Sequence, residues 1–209
     1  MNDRCEVLVL GIGNLLWADE GFGVRAVEAL HAKYAMPDAV TILDGGTQGL
    51  YLFGAVAAAC RVLVFDAIDF GLPPGTLRVL RDGEVPACGA AKLSPHQTGF
   101  NDVLALAMVR GEAPETITLI GVQPEELADL GGSLRNSVKA CIPEAVEIAA
   151  RELAAWGYPP LPRERGVPVA PLNAAALALA AYEGGRPSSE DACRIGDARI
   201  LVRARAASE

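Results

Sequence analysis

The chain has 209 residues, enough for one substantial hydrophobic core and too few for two independent enzymatic domains. Apolar residues make up 51% with only 5% aromatics, and the excess lies in Ala, Val and Leu, which favours alternating strands and helices over a small barrel. A net charge of −8 and the lack of any Lys/Arg run exclude a phosphate-neutralising stripe, so nucleic acid is not expected as a partner.

The first element is "CEVLVLGIG", a continuous apolar run ended by glycine, as in a strand covered on both faces. A helix follows to about Ala35, with Val24, Val27, Leu30 and Tyr34 near helical spacing and "MPD" as its stop. "VTILDGG" at 40–46 and "RVLVFDAID" at 61–69 repeat the strand form, with the helical "GTQGLYLFGAVAAA" between them. "GTLRVLRDGEVP" at 75–86 carries charges and an Asp82-Gly83 turn signal, and reads as an edge strand or hairpin.

A third helix is predicted over "TGFNDVLALAMVRG", closed by Gly111, and a fourth buried strand over "TITLIGVQP", stopped by Pro124. "SLRNSVKACIPEAVEIAARELAAWG" predicts one long helix with Val138, Cys141, Ala145, Ile148, Ala149 and Leu153 along a face and a kink at Pro143. Composition breaks at "GYPPLPRERGVPVAP", where five prolines mark a linker or extended arm. An Ala-rich helix, "LNAAALALAAYEGG", capped by Asn173 and stopped by Gly184-Gly185, comes next. The expected organisation is a core over 1–156 and a proline-rich arm with a helical extension over 157–209.

The five cysteines, Cys5, Cys60, Cys88, Cys141 and Cys193, form no CxxC pair and read as reduced, buried small hydrophobes. The N-terminal apolar run is too short for a signal peptide and no stretch approaches a membrane-spanning length, so a cytoplasmic protein with no membrane partner is expected.

Strands alternating with helices imply right-handed crossovers, a mostly parallel sheet wrapped on both faces, and chemistry at the carboxyl ends of the strands. Asp19, Glu20, Asp44 and Asp66 fall there. "GIGNLL" offers the Gly-x-Gly of a dinucleotide loop, with Asp44 as its ribose-binding acid. Leu16, however, stands at the third glycine position, and Asp19-Glu20 would set like charge beside a pyrophosphate. Each acid alone is commonly a helix cap.

Of the two histidines, His31 falls in the last turn of the first helix, a structural position, and His96 lies in the polar "KLSPHQTGF". Glu20, Asp66 and His96 come from three loops that this topology brings to one sheet edge. Two carboxylates and an imidazole suit a borderline divalent metal such as nickel or zinc and leave positions open. No GxSxG elbow accompanies either histidine, which argues against a Ser-His nucleophile.

"LGIGNLLWADEGFGVRAVEAL", "LDGGTQGL", "VFDAID", "SPHQTGFNDVLALA" and "TLIGVQPEEL", in this order and spacing, resemble the [NiFe]-hydrogenase maturation proteases over residues 6 to about 156. The region from 157 resembles the tail of members that process membrane-bound uptake hydrogenases. The resemblance implies a three-layer α/β/α sandwich around a twisted, mostly parallel five-stranded sheet. It also implies an endopeptidase, of a kind often grouped with aspartic endopeptidases, that removes the C-terminal extension of the hydrogenase large-subunit precursor.

In such proteases the nickel arrives with the precursor and is not a resident cofactor, and the resemblance makes Glu20, Asp66 and His96 the catalytic, nickel-contacting residues. Many relatives carry two aspartates where this chain has Asp19-Glu20, and Glu20 is taken as the ligand. Asp19, Asp44 and the loop at 45–47 are expected to position the site or the peptide, and a monomer is expected. Two alternatives stand beside this reading. One is a broader-specificity peptidase with its own metal, and the other is a non-catalytic nucleotide-binding module using the Gly11–Gly13 turn.

Overall fold

In the computed structural model residues 5–85, 95–164 and 169–186 are described, with side chains for 7–85, 100–164 and 169–186. Strand β1 (Cys5–Ile12) lies at the heart of a five-stranded sheet because its residues from Val7 to Ile12 are all buried. Val7 and Val9 point to one face, Leu8 and Leu10 to the other, and each meets a helical layer.

After β1 come helix α1 (Phe22–Lys33), the two-residue strand β2 (Tyr34–Ala35) and strand β3 (Val40–Gly46). A 3-10 turn (Gly49–Leu52) leads into α2 (Phe53–Ala58), β4 (Ala59–Ala67) and β5 (Leu77–Arg81). Helix α3 (Pro95–Arg110) and strand β6 (Thr116–Val122) follow, then α4 (Asn136–Lys139) and α5 (Ile142–Ala155). The sheet order is β3-β1-β4-β6-β5, parallel except for the edge strand β5 against β6. This is the mostly parallel α/β architecture expected from the sequence, with β5 as the charged edge.

One face of the sheet carries Val7, Val9, Leu63, Phe65, Ile120 and Val122 against α1 and α5, which contribute Phe22, Val27, Leu30, Ala149 and Leu153. The other carries Leu8, Leu10, Val62, Val64 and Leu119 against α2 and α3, which contribute Val56, Phe100, Val103 and Leu104. These two apolar layers fix the strand ends, and so the edge where the candidate site lies.

Several local expectations are corrected. The long helix across Pro143 is two helices, α4 and α5, and Pro143 sits in the first turn of α5, where a missing N–H leaves no bond unmade and no kink follows. Helix α1 stops at Lys33, since Tyr34 and Ala35 are extended and pair antiparallel with β7 (Leu161–Pro162) in the proline-rich arm. The Ala-rich segment is a 3-10 turn (Ala175–Leu177) followed by the short α6 (Leu179–Gly184). Asn173 caps neither, because its amide is turned to Glu28.

The chain divides after Ala174 into two compact units, the first containing the sheet and the arm, the second containing α6. Among the described residues no helix is long and apolar enough to cross a membrane.

Candidate active site

The glycine turn after β1 is built around the backbone of Glu20. Gly13 has φ of 136°, and a Cβ there would run into the carbonyl oxygen of Glu20. Most N–H groups that a phosphate cradle would need are already used. Gly13 N donates to Gly46 O at 3.0 Å, Asn14 N to Glu20 O at 3.2 Å, Leu16 N to Asn14 Oδ1 at 3.0 Å and Trp17 N to Asn14 O at 3.1 Å. With those donors committed, the turn is not a pyrophosphate loop, and the dinucleotide reading loses its structural basis.

Beyond the turn, Ala18–Gly21 form a single 3-10 turn that leads into α1. Ala18 is buried with φ of 38°, an uncommon conformation for a residue with a Cβ, immediately before the two acids. The N-cap of α1 is Gly21 and no side chain caps it, so neither Asp19 nor Glu20 is serving as an ordinary helix cap.

The adjacent acids have different surroundings. Asp19 is fully buried and its carboxylate is saturated by backbone donors. Oδ2 accepts from Glu125 N at 2.8 Å and Glu126 N at 2.9 Å, and Oδ1 accepts from Arg135 N at 2.6 Å. Its own N–H donates to Glu126 O at 3.1 Å. Asp19 therefore clamps the 3-10 turn to the loop after β6 and has little lone-pair capacity left for a ligand. Glu20 is 8% exposed, and its Oε2 atom is buried without a hydrogen bond among the described residues.

Asp66, 5% exposed, is the penultimate residue of β4, and its Oδ1 accepts from Ala67 N at 2.8 Å. The 3-10 turn carrying Glu20 packs against β4, and Gly23, at the start of α1, lies so close to the carbonyl oxygens of Phe65 and Ile12 that no side chain fits there. By strand alternation Asp66 follows Val62 and Val64 onto the face covered by α2 and α3.

His96 is the second residue of α3, and its side chain lies outside the described residues. Among the described residues no three His, Cys, Asp or Glu side chains form a group that could hold a metal. The described part of the expected triad is thus the two carboxylates on abutting elements.

Asp44 reaches the same edge on the opposite face. It follows Val40 and Ile42, which face α1, and it pairs with Gly11 in the row that also contains Phe65. Its Oδ1 accepts from Gly46 N at 2.8 Å. Burial pushes its carboxyl up from the ordinary value, and hydrogen bonds from Asn173 and Gly46 partly hold it back. Sheet pairing separates Asp44 from the layer Asp66 faces. His31 is remote from the acids, donating from Nε2 to Ala170 O at 2.9 Å.

Gln123, within the "TLIGVQPEEL" stretch but given no role from it, organises the loop that follows Asp66. Its Oε1 accepts from Phe70 N at 2.7 Å and Leu72 N at 3.1 Å, and its Nε2 donates to Asp69 Oδ1 at 3.1 Å and Pro124 O at 3.3 Å. Arg135 pairs with the buried Asp129 at 3.1 Å, bracing the loop that Asp19 holds. The only trace in the sequence is an amide directly after a buried strand, at the carboxyl edge.

A family model described as hydrogenase maturation protease matches residues 24–152. The chain is 54% identical over 197 residues to the hydrogenase expression/formation protein HoxM of Cupriavidus necator, covering 93% of this chain and 98% of that protein. It is 55% identical over 204 residues to the hydrogenase expression/formation protein HupD of Thiocapsa roseopersicina, covering 97% and 92%. The solved hydrogenase maturating endopeptidase HybD from Escherichia coli superposes with a TM-score of 0.72 at 45% identity, over 76% of this chain and 98% of that one.

Proposed function

The chain belongs to the hydrogenase maturation proteases, hydrolases of peptide bonds, and from that premise we propose that its substrate is the nickel-loaded precursor of a [NiFe]-hydrogenase large subunit. In this reading it removes the precursor's C-terminal extension and recognises the nickel through Glu20, Asp66 and His96. The observation that supports it is a pair of buried carboxylates, Glu20 and Asp66, on abutting elements at the carboxyl edge. Asp66 also shares its face of the sheet with the helix whose first turn carries His96.

Two carboxylates held near one another out of water repel and lose hydration, and a divalent cation arriving beside them offsets both costs. An imidazole added to them makes a donor set in the range nickel accepts. The metal belongs to the substrate, so its presence licenses productive binding and fixes the scissile segment close to the acids. A carboxylate oxygen of Glu20 or Asp66 that is not bonded to the nickel can take the proton of an attacking water and return it to the leaving amine. Asp19 contributes by holding the turn that presents Glu20.

The test is processing of purified precursor with and without nickel. Cleavage of the loaded form alone is expected, and equal cutting of both forms would remove nickel from recognition. Asp66→Ala and His96→Ala should each abolish processing while leaving the circular dichroism spectrum unchanged. Normal processing by either variant sinks the site assignment.

A further inference from the structure

The proline-rich arm is bound to the core at several points, and its course leads to the carboxyl edge. It starts at the opposite end of the sheet, where Leu161 and Pro162 pair with Ala35 and Tyr34. Arg163 then caps the last turn of α1. Its N–H donates to Lys33 O at 2.9 Å, and its Nε donates to His31 O at 3.0 Å and Tyr34 O at 3.1 Å. Farther along, Ala170 O accepts from His31, and Leu172 packs on the apolar layer beside α1.

Asn173 ends the climb. Its Nδ2 donates to Glu28 Oε1 at 2.8 Å, and the same side chain helps hold down the carboxyl of Asp44 at the end of β3. Glu28 is itself held by the buried Arg25, Nη1 to Oε2 at 2.9 Å. One amide thus stands against two carboxylates, a place for which its two N–H donors are suited and a carboxylate is not. Asp44 lies two strands from Phe65, about 10 Å in sheet spacing, so the latch sits within reach of a protein engaged at Glu20 and Asp66.

We propose that this strap is the substrate-selecting element of the protease. Latched by Asn173, its own residues 169–174 are held at the carboxyl edge, where they meet the folded body of the large-subunit precursor and not the scissile segment. The proposal rests on the function assigned above. It draws separate support from the relatives. About three-quarters of this chain accounts for 98% of the solved Escherichia coli endopeptidase, so hydrolysis needs no more than a core of that size. HoxM and HupD match over 93% and 97% of this chain, more than a core of that size. A part that some members keep and others lack, while all share a reaction, is fitted to discriminate among substrates.

The test uses the full-length Asn173→Asp variant, which keeps the shape, removes both donors and sets a third carboxylate against Glu28 and Asp44. Processing of nickel-loaded precursor is measured over a range of precursor concentrations. KM is expected to rise about tenfold with kcat unchanged, the pattern for lost binding shared by ground and transition states. Unchanged KM overturns the proposal, as does a fall in kcat at constant KM, which would tie the latch to chemistry. If Asn173→Asp does not fold, Asn173→Ala, which opens the latch without adding charge, decides by the same criteria. Failure of the wild type to process any precursor would instead sink the functional assignment, so the two failures are distinct.

Discussion

Replacing Asp19 with asparagine should weaken the scaffold of the site, whereas replacing Glu20 with glutamine should silence the site and leave its scaffold standing. Asp19 accepts three backbone hydrogen bonds from residues more than a hundred positions away, and all three fall on one buried carboxylate. Asparagine keeps the shape but has a single oxygen. If that oxygen takes the Oδ2 position, the bonds from Glu125 and Glu126 survive as neutral ones, each weaker by about 1 kcal/mol. The Arg135 N–H then faces an amide NH2, and an unsatisfied buried donor costs about 1–3 kcal/mol more. The sum is roughly 3–5 kcal/mol, a large share of the about 5–15 kcal/mol that holds a domain folded. Glutamine at 20 is isosteric and cheaper to bury than a carboxylate, so its effect should stay within about 1 kcal/mol. Urea unfolding followed by far-ultraviolet circular dichroism gives the stabilities, and processing of loaded precursor gives the activities. Wild-type stability in Asp19→Asn, or an equal loss in Glu20→Gln, would refute this division of labour.

Gly13→Ala should cost more than about 2 kcal/mol, because the residue combines a positive φ with a Cβ position occupied by the Glu20 carbonyl; an unchanged urea midpoint counts against the packed-turn description. Gln123→Leu strips the acceptor from Phe70 N and Leu72 N, costing about 2–4 kcal/mol in all, and those two amides should exchange with deuterium faster than in the wild type. For Asp44, burial raises the folded-state pKa above 3.8, so the folded form keeps its proton longer than the unfolded form. The stability it contributes is full below that value and is lost as pH rises through the folded pKa. Asp44→Asn escapes the loss, and the difference in unfolding free energy should move in the variant's favour as pH rises from 3.8 through the raised folded-state pKa. A pH-independent difference would show that Asp44 is not the titrating group.

The four parallel strands were legible because burial on both faces leaves an unbroken apolar run, and each such run here ends in glycine, aspartate or proline at the sheet edge. The helix across Pro143 was misread for a physical reason. Val138, Cys141, Ala145, Ala149 and Leu153 all pack against the same face of the sheet, so the apolar period carries straight through the break between α4 and α5. Only the backbone bonding changes there, and periodicity does not record it. The arm is extended, as its prolines suggest, but its attachments to α1 and β2 are pairings too distant in sequence for any local pattern.

For the site, the topological rule brings Asp19, Glu20, Asp44 and Asp66 to one edge, and the structure divides them by two further geometrical facts. Strand parity is the first. Gly11 pairs with both Asp44 and Phe65, so Asp44 is in phase with Phe65 and out of phase with Asp66. Asp44 consequently faces α1 and the strap, while Asp66 faces the layer that contains α3. The second is the 3-10 turn at Ala18–Gly21, where successive side chains diverge by about 120°. That angle lets Asp19 point into the loop after β6 while Glu20 points elsewhere. The pair therefore needs its extra residue: one carboxylate anchors the turn, and the next, Glu20, is the one the proposed function assigns to the cation. A chain with two aspartates in this position should obey the same rule, with the first as clamp and the second as ligand.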